Sequence, residues 1–68
     1  MLAITESPSR AARLAELLAS EGLRSELVPT PRQYAKAGCS YSVRFDAKDV
    51  NAVRRICMRN NIAVKILT

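Results

Sequence analysis

Two amphipathic helical stripes and one strictly alternating run, all within 68 residues, leave this chain few ways to bury its apolar side chains. Ala11, Leu14, Ala15, Leu17 and Leu18 recur at three- and four-residue spacing, the single apolar stripe of a helix. Ser7 can cap the free amides at its start, and Pro8 suits the first helical position. Gly22 provides a left-handed stop, with Leu23 beyond it as the usual hydrophobic contact. The second stripe is Val50, Val53, Ile56 and Cys57, with Arg54, Arg55 and Arg59 pointing elsewhere. Asp46 is expected to cap that helix, Asp49 favours its positive end, and Asn60-Asn61 supplies its stop.

Strands account for the rest. Tyr41, Val43 and Phe45 alternate with Ser42, Arg44 and Asp46, so a half-buried strand with Tyr41 and Phe45 in the core is expected. Met1 to Thr5 is a short apolar run with Leu2 and Ile4 on one face, which suits a central strand. Ser25 to Val28 forms a second strand closed by Pro29 and Pro31, and Ala63 to Leu67 a last one. The order is strand, helix, strand, strand, helix, strand, with no repeat, linker or low-complexity tract. That order predicts one α+β domain over residues 1–68, a ferredoxin-like βαββαβ two-layer sandwich. Its four-stranded antiparallel sheet would carry both helices on one face and leave the other open to solvent or a partner.

The stretch Val28 to Ser40 follows neither periodicity. Its prolines remove two backbone donors, Arg32 and Lys36 flank small residues, and Gly38 precedes the thiol of Cys39. Irregular loops held by a rigid scaffold often carry function. In the expected topology this loop shares an end of the sheet with the Ser7-Pro8 helix start, bringing Arg10, Arg13, Arg32 and Lys36 toward Cys39. Cations and a helix N-terminus lower a thiol pKa, and the thiolate is the reactive form. Arg10 and Arg13 in the first turns oppose their own helix dipole, a hint that the positive end serves an anion. Cys57, on an apolar stripe, reads as a small buried hydrophobe.

Composition narrows the chemistry. The chain has no histidine, which removes the commonest general base and metal ligand. Cys39 and Cys57 alone cannot make a four-ligand zinc site, and no C-x-x-C is present, so neither metal nor cofactor is expected. A domain this short has little room for an internal cofactor cavity. The net charge of +5 makes an anionic partner plausible without naming one. RNA-recognition domains share this element order, but they stack bases on aromatics from strands one and three. Strand one here has no aromatic, so base stacking is not expected. No segment approaches the roughly 20 apolar residues of a bilayer span, and the start of the chain carries no signal pattern. A cytoplasmic setting with reduced thiols is the expectation.

The run Pro29-Thr30-Pro31-Arg32, a loop cysteine, a strand ending Arg44-Phe45-Asp46 and a short helix together resemble a known family. It is the selenium/sulfur carrier-like family of small bacterial proteins, formerly a domain of unknown function, and the similarity covers nearly the whole chain. The family pattern usually has glycine directly after the cysteine, whereas here Gly38 precedes Cys39 and Ser40 follows. The resemblance implies a carrier more than a stand-alone enzyme. Cys39 would accept sulfur or selenium as a persulfide or selenosulfide from a donor protein such as a cysteine desulfurase, then yield it to an acceptor. Arg32 would stabilise charge, while Arg10, Arg13 and Lys36 would help dock the donor. The alternative is a noncatalytic interaction or regulatory module, with homo-oligomers or partners forming on the open sheet face.

Overall fold

The computed structural model describes residues 1–34 and 41–67. Strand β1 (Leu2–Thr5) leads into helix α1 (Pro8–Ser20), strand β2 (Ser25–Pro29) and a 3₁₀ turn over Arg32–Tyr34. Strand β3 (Tyr41–Phe45), a second 3₁₀ turn (Ala47–Asp49), helix α2 (Val50–Arg59) and strand β4 (Val64–Leu67) follow. The sheet order is β2-β3-β1-β4, with every neighbouring pair antiparallel. This is the expected ferredoxin-like α+β arrangement. Pro29 is tolerated because β2 lies at the sheet edge.

The helix boundaries follow local chemistry. Ser7 holds an extended backbone (φ −151°), and its Oγ accepts from the Arg10 amide at 3.3 Å, with Pro8 beginning the helix behind it. Both helices end in the same paired-bond motif. Leu23 N donates to Leu18 O at 2.9 Å and Gly22 N to Ala19 O at 3.0 Å, with Gly22 at φ +76°. Ile62 N donates to Cys57 O at 2.8 Å and Asn61 N to Met58 O at 3.3 Å, with Asn61 at φ +58°. The start of α2 departs from expectation. Ala47–Asp49 wind as a 3₁₀ turn, the α-helix proper begins at Val50, and neither Asp46 nor Asp49 makes a side-chain capping bond. Asp46 therefore sits one turn too early to reach the amides of α2, which the tight 3₁₀ turn separates from it.

The core lies between the helices and one sheet face. Ala3, Val43 and Phe45 meet Ala11, Leu14 and Leu18 of α1 and Val53, Ile56 and Cys57 of α2, with Ile62 closing one side. The face of β1 turned to the helices carries Ala3 and Thr5, both buried, while Leu2 and Ile4 lie half-buried on the other. Tyr41 is 42% exposed, so β3 contributes Val43 and Phe45 to the core but not Tyr41. Tyr41 pairs with Pro29 at the end of the edge strand.

The face away from the helices is only partly open. Leu2, Ile4, Val28 and Leu67 are half-buried there, and Glu26 pairs with Arg44 across β2 and β3. Toward one end, Ser42 is fully buried and Thr30 nearly so, their hydroxyl oxygens 2.5 Å apart. Buried hydroxyls at this depth need partners, and these two satisfy each other.

Candidate functional site

One end of the sheet collects six chain passages. There β1 finishes and α1 begins, β2 finishes and β3 begins, and α2 finishes before β4. The strand register aligns Thr5 with Val64 and Pro29 with Tyr41 along this edge. The end of β2 lies two strand spacings, about 10 Å, from the end of β1.

Hydrogen bonds tie these passages together. Thr5 Oγ1 donates to Ser7 O at 2.9 Å, fixing the step from strand to helix. Arg10 Nη1 donates to Asn61 O at 3.4 Å, so the start of α1 is joined to the end of α2 across 51 positions of sequence. The Thr30–Ser42 bond anchors the chain as it leaves β2, and Pro31 then introduces the 3₁₀ turn that begins at Arg32. Arg32 is exposed, and Arg13 lies exposed one turn along α1 from Arg10.

The helix start supplies less than an open set of donors. Ser7 Oγ engages Arg10 N, the Ala11 amide already bonds Ser7 O at 3.1 Å, and Pro8 has none. Of the first-turn amides, that leaves Ser9 N. The α1 start therefore acts on a neighbouring anion chiefly through its field and the cations beside it. This end therefore carries a hydrogen-bonded helix start with Arg10 beside it.

Of the residues named from sequence, Arg10 lies at this end, bonded to Asn61, and Arg32 begins the turn after β2, while Arg13 is exposed a turn further along α1. Cys39 and Lys36 lie outside the described residues. Cys57 is 2% exposed in the core, and burial raises its thiol pKa. It is the one free cysteine among the described residues. Among those residues, no group of three or more His, Cys, Asp or Glu side chains could hold a metal ion. No described helix is long and apolar enough to cross a membrane. Sequence reading missed the Thr30–Ser42 bond and the Arg10–Asn61 link. Both depend on register and packing, and no local pattern announces either.

With this geometry in place, comparison with protein families becomes decisive. The model of the family described as "Putative Se/S carrier protein-like" matches residues 1–67. The chain belongs to this family. No curated protein and no solved structure matches it. The family's description points to sulfur and selenium carriage.

Proposed function

We propose that this protein carries sulfur or selenium on Cys39, receiving it from a persulfide-bearing donor protein and passing it to an acceptor. The family match over residues 1–67 carries the reading. Two features of the described residues support it. The chain leaves β2 and returns into β3 at the end of the sheet that also holds Arg10 and the α1 start. Arg32 is exposed there on a turn that follows Pro31.

The chemistry needs no redox partner. The Cys39 thiolate attacks the terminal sulfur of the donor's R–S–S–H. The donor S–S bond breaks, its inner sulfur leaves as a thiolate, and a new S–S bond forms on Cys39. One thiolate is consumed and one released, and the transferred sulfur keeps its oxidation state. Loss of the terminal proton to solvent leaves Cys39–S–S⁻, whose charge Arg32 stabilises through its planar donor fork. A donor bearing R–S–Se–H delivers selenium by the same exchange. Discharge reverses the roles, with an acceptor thiolate attacking the outer atom.

The test is intact-protein mass after incubation with a cysteine desulfurase and cysteine. The wild type is expected to gain one sulfur, and Cys39→Ser none. Arg32→Ala is expected to load more slowly at neutral pH and to recover at higher pH, because a cation no longer favours the thiolate. Loading of Cys39→Ser equal to wild type refutes the assignment.

A further inference from the structure

The outer side of α2 carries charge of one sign. Asn51, Arg54, Arg55, Met58 and Arg59 are all exposed, Met58 at 84%. At 100° per residue they fall within an arc of roughly 140° opposite the buried Val53, Ile56 and Cys57. The helix contains three arginines and no acidic residue. Arg44 pairs with Glu26, whereas Arg54, Arg55 and Arg59 have no ion pair among the described residues.

Opposite charges four residues apart help a helix slightly, and like charges there cost it a similar amount. Here Arg55 and Arg59 stand four apart with like charge, and Met58 lies exposed between Arg54 and Arg55 around the helix. The free chain therefore carries repulsion and an uncovered apolar side chain on one strip. A partner that supplies carboxylates around an apolar contact relieves both.

We propose that the outer face of α2 docks an acidic protein segment, with Met58 as the apolar anchor and Arg54, Arg55 and Arg59 as the charged rim. Methionine adapts to irregular partner surfaces, and arginine is enriched where interface energy concentrates. A second copy of the chain is a poor occupant, because a two-fold contact sets arginine against arginine. A nucleic acid uses the cations but has no need of Met58. A membrane needs far more apolar area than one side chain presents. The reading of this surface does not depend on the chemistry proposed for Cys39.

The experiment measures anisotropy of a labelled helical peptide carrying glutamates spaced four apart on both sides of a central leucine. The same peptide with glutamine in place of glutamate and a single-stranded RNA serve as comparisons. The wild-type chain is expected to bind the glutamate peptide, more weakly as salt rises, and to ignore the glutamine form. Arg55→Ala with Arg59→Ala is expected to weaken binding about tenfold, and Met58→Ala about fivefold. Arg24→Ala, the loss of one charge at an exposed position between α1 and β2, is expected to change it less than about twofold. All these side chains are exposed, so melting temperatures should stay close to wild type. No binding of the glutamate peptide, an equal loss from Arg24→Ala, or tighter binding of RNA with Met58→Ala silent, overturns the proposal.

Discussion

Cys57 shows how much a thiol's surroundings decide. Cys57 packs beside Val53 and Ile56 at 2% exposure, and desolvation pushes its pKa above the ordinary 9.0. The consequence for stability has a definite sign. A thiol whose folded pKa is raised keeps its full contribution below the unfolded pKa and loses it as pH climbs through the folded value. Stability is therefore expected to fall as pH rises above about 9, followed by urea unfolding across that range. Cys57→Val should flatten this part of the profile, and an unchanged slope would show that another group is responsible. The same burial should make Cys57 slow to alkylate in the folded chain. Cys39, proposed as the carrier, should react much faster, a difference visible by mass of the singly modified protein.

At the scale of elements, the two helices were legible because their signals are local. Ser7-Pro8 and Gly22-Leu23 bracket α1 where the sequence places them, and Asn61 takes the left-handed position that ends α2. Gly22 offers a clean measurement of such a stop. A Cβ there meets nothing within 4 Å, so in the folded state the effect of adding one is strain at φ +76°. Gly22→Ala is expected to lower stability by about 1 kcal/mol, measured by urea unfolding, since reduced unfolded-state freedom offsets part of the strain. A loss several times larger would mean that the helix end has hidden packing. The start of α2 was misjudged because Asp46 has the right chemistry at the wrong distance, with a 3₁₀ turn between it and Val50. Residue type signals a cap, but only backbone geometry decides which amides it reaches.

For the whole molecule, spacing between the layers governs which side chains are core. Ala3 is fully buried where β1 passes beneath the helices, whereas the larger Leu2 and Ile4 fall on the other face. Ala3→Leu is accordingly expected to destabilise by about 1–3 kcal/mol through overpacking, although it increases apolar content. Thermal unfolding against wild type gives the answer, and a neutral or stabilising result would mean that the helices stand farther from the sheet. In so small a domain, losses of that size are a large part of the total stability.

The element order, both helix stops, the apolar stripes of α1 and α2 and the antiparallel architecture could be read from the sequence alone. Each rests on periodicity or on the backbone preference of a residue type, which are properties of neighbours along the chain. Family membership was also legible, through Pro29-Thr30-Pro31-Arg32 and the segments around it. Tertiary structure alone decided which face of β1 meets the helices, because an apolar run without alternation fits either face. It also left Tyr41 outside the core, joined Arg10 to Asn61 and buried the Thr30–Ser42 pair away from the helices. Those outcomes depend on strand register and on how the helices sit on the sheet, which arise only when residues far apart in sequence are packed together.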